Sequence, residues 1–272
     1  MTNFLFRLRR FAGFYRAALT RYQLHSPFVF EWAVSVLDDR RWYYPFRDIE
    51  ALRAKMKASP TVIELEDFGA RGPGRRKARL ARIVDRSAVS PAMGRMLFRT
   101  VNWLRPTTIL ELGASSGIST MYLASAAAQS VRVASLEGSL ALTQVAEVNL
   151  TVLRLGNVQL YGGPFDQVLE PALQALGAPL DLVFFDGDHR GDATLRYFEK
   201  CLARAHDRSV FVFDDLYWSA DMAEAWARIK QHPKVTLTLD TFHLGFVFFN
   251  PDFKEKQHLQ VVPARWKPWK VF

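Results

Sequence analysis

From Thr107 onward, short apolar runs alternate with stretches in which apolar residues recur every three or four positions. The runs Thr107 to Leu112, Val131 to Leu136, Val158 to Tyr161, Leu180 to Phe185 and Ser209 to Phe213 predict five strands. Helices are predicted to start near Gly117, Ser139, Pro164, Gly191 and, after the fifth strand, Ser219. Such alternation predicts an α/β fold with a parallel sheet covered on both faces, because each crossover helix must return over the sheet. Two further runs, Val235 to Thr241 and Leu244 to Phe249, are joined only around Phe242-His243 and predict a hairpin. A nicotinamide-type dinucleotide fold would continue with parallel units, so the antiparallel ending points elsewhere.

Upstream the pattern changes. Asn3 to Tyr22 interleaves Phe4, Leu5, Leu8, Phe11, Tyr15 and Leu19 with arginines, giving a helix with one aromatic-aliphatic face and one basic face. The apolar face needs a cover: the rest of the chain, a second subunit, or a membrane surface. His25-Ser26-Pro27 predicts a break, followed by helices over Phe28 to Leu37 and Asp48 to Lys57, the second introduced by the aromatic cluster Trp42 to Phe46. Thr61 to Glu66 reads as a short strand. Asp67 to Lys77, rich in glycine, proline and positive charge, reads as a mobile loop or substrate lid, or as a basic connector with no function. Ser90-Pro91 opens a helix to Leu104, with proline in the favourable first turn. The chain thus divides into a basic, mainly helical extension, 1–89, and a body, 90–272.

At 272 residues and 49% apolar content the chain can bury a full core. Its longest apolar runs are too short to cross a bilayer, so a soluble, cytoplasmic protein is expected. The single cysteine, Cys201, excludes an internal disulfide and a multi-cysteine metal cage; it reads as an ordinary helix residue. The net charge of +9 is uneven: residues 1–90 hold 18 Lys/Arg against 9 Asp/Glu, and the remainder holds 18 of each. A basic extension on a neutral body suggests nucleic acid, an anionic lipid surface or an acidic substrate, and a merely solvated basic face explains it equally well.

The chemistry concentrates at strand ends. Glu111 precedes the turn Gly113-Ala114-Ser115-Ser116-Gly117, and helix-forming residues resume at once. A turn of this kind brings main-chain N–H groups and a helix N-terminus to a ligand, with glycine where a Cβ would block the approach. It contains no lysine, which excludes a triphosphate loop and leaves a nucleoside-like cofactor. Glu137, ending the second strand, can accept both hydroxyls of a ribose, or simply begin a helix. Asp186-Gly187-Asp188-His189 closes the fourth strand and Asp214-Asp215 the fifth. On a shared rim Asp186, Asp214 and Asp215 would offer three hard oxygen ligands to Mg²⁺ or a similar ion. More plainly, Asp188 and Asp215 cap helices, and Tyr217 and Trp218 line either an acceptor pocket or the core.

The ELGASSGIST turn, Glu137 and the closing hairpin together resemble the class I S-adenosylmethionine-dependent methyltransferases. The acidic strand ends resemble the O-methyltransferase branch of catechol, caffeoyl-CoA and macrocin type. The resemblance covers about Ser90 to Asn250. It implies a doubly wound, seven-stranded, mostly parallel sheet of order 3-2-1-4-5-7-6 with the last strand antiparallel, helices on both faces and an N-terminal helical extension. It implies that Glu111, Gly113, Ala114, Ser115 and Gly117 hold the methionine end of the cofactor with help from Ser119. Glu137 would hold the ribose, Gly162, Gly163 and Phe165 would line the adenine, and Asp186 would adjoin both cofactor and metal. In the metal-dependent branch Asp186, Asp214 and Asp215 would hold the ion, Asp215 standing where asparagine is usual. His189 would be the base, matching the DGxH pattern rather than the lysine of the catechol type. Ala114-Ser115 departs from the GxGxG spacing of the wider superfamily. The first ninety residues, with HSPFVF and ELEDFGA, are similar to a bacterial subgroup of predicted methyltransferases and imply no substrate.

The function expected from this resemblance is S-adenosylmethionine-dependent, metal-assisted O-methylation of a small hydroxylated acceptor. Two alternatives stay open. One is a methyltransferase acting on a hydroxyuridine-type base of tRNA, its phosphates tracked by the basic extension. The other is a cofactor-binding protein without transferase activity that docks through its first helix to a membrane or a partner, a second copy of itself included.

Overall fold

In this computed structural model, which describes residues 2–67, 74–177 and 179–269, internal contacts divide the chain into two compact units. One is Met1–Arg40 with His189–Phe272; the other is Arg41–Asp188. The chain opens with helices α1 (Thr2–Ala17) and α2 (Pro27–Trp32). There follow α3 (Tyr44–Lys57), β1 (Val62–Asp67), β2 (Gly74–Arg79), α4 (Leu80–Ser87), α5 (Pro91–Leu104), β3 (Thr108–Leu112) and α6 (Ile118–Ala126). Next come β4 (Arg132–Glu137), α7 (Leu140–Val152), β5 (Val158–Gly162), α8 (Phe165–Leu176) and β6 (Leu180–Phe185). The chain continues through α9 (Gly191–Leu202), β7 (Ala205–Phe213), α10 (Ala220–Gln231), β8 (Leu237–Asp240), β9 (Gly245–Phe248) and β10 (Gln257–Gln260).

In the unit Arg41–Asp188 four parallel strands lie in the order β6-β3-β4-β5. Every residue of β3 is buried and β6 is nearly as covered, which is why both read as continuous apolar runs, whereas edge strand β5 is half-exposed and more polar. The register aligns Phe185, Leu112, Leu136 and Tyr161, so the turns after these strands open on one rim. Helix α5 opens at Ser90-Pro91 as predicted, and Ser90 caps it, its Oγ accepting from the Met93 N–H at 3.3 Å. Gly94 lets α5 close on α6: a Cβ there would lie 2.3 Å from the Tyr122 ring. Tyr43, Phe46, Phe98 and Tyr122 pack edge-on or tilted around that contact, which gives the aromatic cluster before α3 a structural role. The structure corrects the predicted loop at its end, because Gly74 to Lys77 belong to β2, paired antiparallel with β1. Glu64 faces Lys77 and Glu66 faces Arg75, so opposite charges across the ladder offset a composition that reads as loop. The middle of that stretch, 68–73, lies outside the described residues.

The second unit carries β10-β8-β9-β7, with β9 antiparallel to both β7 and β8. The predicted closing hairpin is there, and the orders within the two units correspond to the 3-2-1-4 and 5-7-6 parts of the expected sequence of strands. Strand β10, parallel to β8, is an addition. Its four residues, QHLQ, carry neither an apolar run nor a clear alternation. Helix α1 ends at Ala17 rather than Tyr22 because Leu19 leaves it to pair with the segment around Val261. The Leu19 N–H donates to the Gln260 carbonyl at 2.7 Å and its carbonyl accepts from Val262 at 2.9 Å. Tertiary pairing here overrides helical periodicity. The helix expected over Phe28 to Leu37 ends its α geometry at Trp32 and finishes as a π turn, Ala33–Leu37.

Phe14, Ala18, Phe242 and Val262 form a core beneath α1, with Phe11, Tyr15 and Tyr217 packed against it. The Tyr15 hydroxyl donates to the Trp266 carbonyl at 2.6 Å, and Lys267, 3% exposed, donates to the Ala18 carbonyl at 2.6 Å just past the helix end. Among the described residues no helix is long and apolar enough to cross a membrane.

Candidate functional site

Strand β3 places Glu111 beside Ser135 of β4. Glu111 is fully buried, and its Oε2 accepts from Thr120 Oγ1 and Ser135 Oγ, both at 2.5 Å. Among the described residues its other oxygen, Oε1, has no donor in hydrogen-bonding geometry. Burial holds this carboxyl above the ordinary range, opposed by the nearby hydroxyls of Ser119, Ser135 and Thr120.

The turn after β3 differs from expectation in one physical respect. Four of its five N–H groups are already taken within the protein. Those of Gly113 and Ala114 go to the Leu136 carbonyl at 2.8 and 2.9 Å, that of Ser115 to Glu137 Oε2 at 2.7 Å, and that of Gly117 to Ala114 at 2.8 Å. The glycines answer to protein neighbours as well. At Gly113, with φ +110°, a Cβ would sit 2.4 Å from the Asp186 carbonyl oxygen; at Gly117, with φ +85°, it would sit 3.0 Å from Ala146 Cβ. What the turn presents to a ligand is therefore its shape and the start of α6, whose cap, Gly117, supplies no side-chain hydrogen bond. The uncapped N-terminus suits a carboxylate and the orphaned Glu111 oxygen suits an ammonium, the two ends of an amino acid.

Glu137 is clamped to this turn. Oε2 accepts from Ser115 and Oε1 from the Ser139 N–H at 2.8 Å. Burial pushes its carboxyl up, the Ser139, Ser115 and Gly138 N–H groups pull it down, and Glu111 nearby raises it further. A carboxylate has about four acceptor positions, so two hydroxyls can still join the two N–H donors. The register sets Glu137 beside Gly162, and the Gly163 N–H donates to the Glu137 carbonyl at 2.8 Å. Gly163 has φ +134°. Phe165 begins α8 and lays its ring on Gly187, where a Cβ would lie 2.5 Å from it. Asp186 donates its N–H to the Leu112 carbonyl at 2.8 Å, which carries the ladder to the rim. Glu111, Gly113, Ala114, Ser115, Gly117, Ser119, Glu137, Gly162, Gly163, Phe165 and Asp186 all belong to the unit Arg41–Asp188.

His189, Asp214 and Asp215 belong to the other unit. Asp214 directly follows β7 and is 7% exposed; its Oδ1 accepts from the Asp215 N–H at 2.6 Å. Asp215 has φ +54°, and its Oδ2 lies 3.8 Å from His189 Nδ1, an ion pair when the imidazole is protonated. Among the described residues no three His, Cys, Asp or Glu side chains are gathered as a metal-ligand set. At the start of α9 the Gly191 N–H donates to Asp221 Oδ2, from α10, at 2.6 Å. Asp215 does not cap α10, where Ser219 accepts from the Met222 N–H at 3.1 Å. Tyr217 turns inward, donates to Asp240 and stacks on Phe242, while Trp218 is about half-exposed under Arg7, at 5.2 Å.

Sequence reasoning missed Thr120, Ser135 and Ser139. Ser135 carried a signal, a lone hydroxyl inside the apolar run of β4, and Thr120 and Ser139 carried none.

Residues 110–216 match the family described as a methyltransferase domain. A catechol O-methyltransferase of Mycobacterium tuberculosis is 33% identical over 135 residues, 48% of this chain and 58% of that protein. A second, from Niastella koreensis, is 28% identical over 47% of this chain, so the chain spans 58% of the length of the curated relatives it matches. The O-methyltransferase of Bacillus cereus solved with SAH superposes with a TM-score of 0.56 at 19% identity, over 77% of this chain and 92% of that one. At that identity the likeness shows the fold alone. Turn, sheet and domain match together make the chain similar to S-adenosylmethionine-dependent O-methyltransferases, on a Rossmann-like α/β fold.

Proposed function

We propose that the protein transfers a methyl group from S-adenosylmethionine to an oxygen of a small hydroxylated acceptor. The observation that carries this reading is the joint placement of Glu111, the Gly113 to Gly117 turn and Glu137 on one rim, with a buried carboxylate oxygen that lacks a donor among the described residues. Glu111 Oε1 and the start of α6 would hold the amino-acid end of the cofactor, Glu137 the ribose, and Gly162, Gly163 and Phe165 the base. The cofactor supplies an electrophilic sulfonium methyl. His189 follows Asp186 by three residues along the chain and takes the proton of the acceptor hydroxyl. Asp215 stabilises the resulting imidazolium across 3.8 Å. The catechol specificity of the two curated relatives makes a vicinal diol the acceptor to try first.

Asp186, Asp214 and Asp215 suit a divalent cation in the kind of atom they offer. Since no three ligands stand gathered among the described residues, no step is assigned to the ion. The tRNA alternative draws on the uneven charge of residues 1–90 and requires a complex that weakens steeply with salt.

The test is transfer of labelled methyl to catechol, together with calorimetric titration of S-adenosylhomocysteine. His189→Ala is expected to lower kcat by about 10²-fold while the product still binds. Absence of S-adenosylhomocysteine binding by the unaltered protein would end the proposal. Chelator treatment reversed by Mg²⁺ would add the cation to it, and turnover indifferent to chelator would remove it.

A further inference from the structure

A cavity of about 520 Å³ lies under the flank of α1, lined by Phe6, Arg9, Arg10, Phe14, Tyr217 and Gln260. Its volume is that of a site for a metabolite-sized molecule. Its chemistry is one-sided, because two guanidinium groups line it and no carboxylate does. Arg10 lies over the Phe6 ring at 5.4 Å, and among the described residues neither Arg9 nor Arg10 is paired with an acid. The acid behind the wall, Asp240, is 4% exposed and accepts from the Tyr217 hydroxyl and the Phe242 N–H, so it is not offered to the cavity. Burial and Asp240 hold the Tyr217 phenol far above its ordinary range, so that side chain is a neutral ring and adds no negative charge.

The helix carrying the two arginines is fixed in place. Phe11 and Phe14 pack on Phe242 at 4.9 and 5.3 Å, and Lys267 and Tyr15 tie down its end. Tyr217, in the cavity wall, lies on the loop that leaves β7 through Asp214 and Asp215. Arginine forks recognise carboxylate and phosphate oxygens in pairs, and aromatic walls receive a planar body.

We infer that this cavity binds the acidic end of the methyl acceptor, so that the acceptor is an aromatic diol bearing a carboxylate or phosphate rather than a neutral phenol. This inference rests on the methyltransfer proposed above for its catalytic arm and stands apart from it for its binding arm.

The binding arm titrates benzoate and phenyl phosphate separately into the full-length protein, which tells carboxylate from phosphate. At least one is expected to bind, with affinity falling as salt rises. Arg9→Gln with Arg10→Gln is expected to weaken that binding by about tenfold or more. Gly13→Leu fills the cavity from the same helix. A Cβ at Gly13 meets nothing within 4 Å, and leucine favours the helix, so this variant is expected to fold and to lose the anion as well. Arg16→Gln removes a charge from α1 outside the cavity and is expected to leave binding as it was. The catalytic arm compares protocatechuate, the carboxylated catechol, with catechol. The double arginine variant is expected to lower the ratio of their kcat/KM values by about tenfold, mainly through KM for protocatechuate. If neither anion binds, or if the arginine and Gly13 variants bind as the unaltered protein does, the inference is overturned. If the anion binds as expected but neither diol is methylated, the anion site stands and the methyltransfer reading fails.

Discussion

The two sides of the proposed reaction are built differently. Around the cofactor rim the contacts come from neighbouring strands and their own turns: Glu111 with Ser135, Gly113 with Leu136, Glu137 with Ser115. On the acceptor side the decisive contacts join the two ends of the chain, as in Tyr15 with Trp266 and Lys267 with Ala18. The proposed cofactor seat is thus encoded locally, in strand register and turn geometry. The cavity beside Arg9 and Arg10 depends on long-range docking of α1.

The harshest way to break this contrast is Gly113→Val. The side chain would meet the Asp186 carbonyl oxygen and force a β-branched residue to φ +110°. A loss of about 3 kcal/mol or more of stability is expected, with S-adenosylhomocysteine binding abolished, as read by thermal melting and calorimetry. If the variant binds product normally, the turn is not the cofactor seat. Lys267→Met acts on the other side. It removes the buried donor to Ala18 and the cation over the Tyr15 ring, at 4.9 Å, and should cost about 1–3 kcal/mol while product affinity changes less than benzoate affinity. Equal losses of both would erase the distinction between the two sides.

The smallest effect is a pH dependence. Burial raises Glu111 and Glu137, so the folded, cofactor-free protein keeps protons that the unfolded chain has already released. Their contribution to stability is complete below the ordinary carboxylate pKa and is lost as pH rises through the raised values. A cationic cofactor favours the ionised carboxylates, so its binding should release protons and tighten by a few-fold across the same window. Calorimetry in two buffers of different ionisation enthalpy measures that release. Binding that tightens toward low pH would detach these carboxylates from the cofactor.

The same contrast explains what the sequence made legible. β3 and β6 announce themselves because strands covered on both faces must be apolar throughout, and the glycine turn announces itself because Gly113 and Gly117 sit at positive φ. The turn's residues could be named in advance, but not the reason for its glycines. That reason is the approach of the Asp186 carbonyl from a strand some seventy positions away. Strand β10, the end of α1 at Ala17 and the cavity beside Arg9 and Arg10 were illegible for one shared cause. Each depends on a partner that no local window contains, such as Gln260 for Leu19 or Tyr217 for the arginines. Asp221 at the start of α9 belongs with them, since the Gly191 N–H it accepts from lies thirty positions away in the chain.

Lys267 closing the end of α1 also orders events in time. The strands and turns of Arg41–Asp188 can assemble while the ribosome is still making the segments after them, but α1, which precedes them in the chain, gains its stopper only after position 267 has emerged. Until then its aromatic face lacks Phe242 and Val262 to cover it. A helix made before the sheet is among the last to be seated, and a nascent chain stalled between these events would expose a greasy, arginine-fringed surface of the kind chaperones hold.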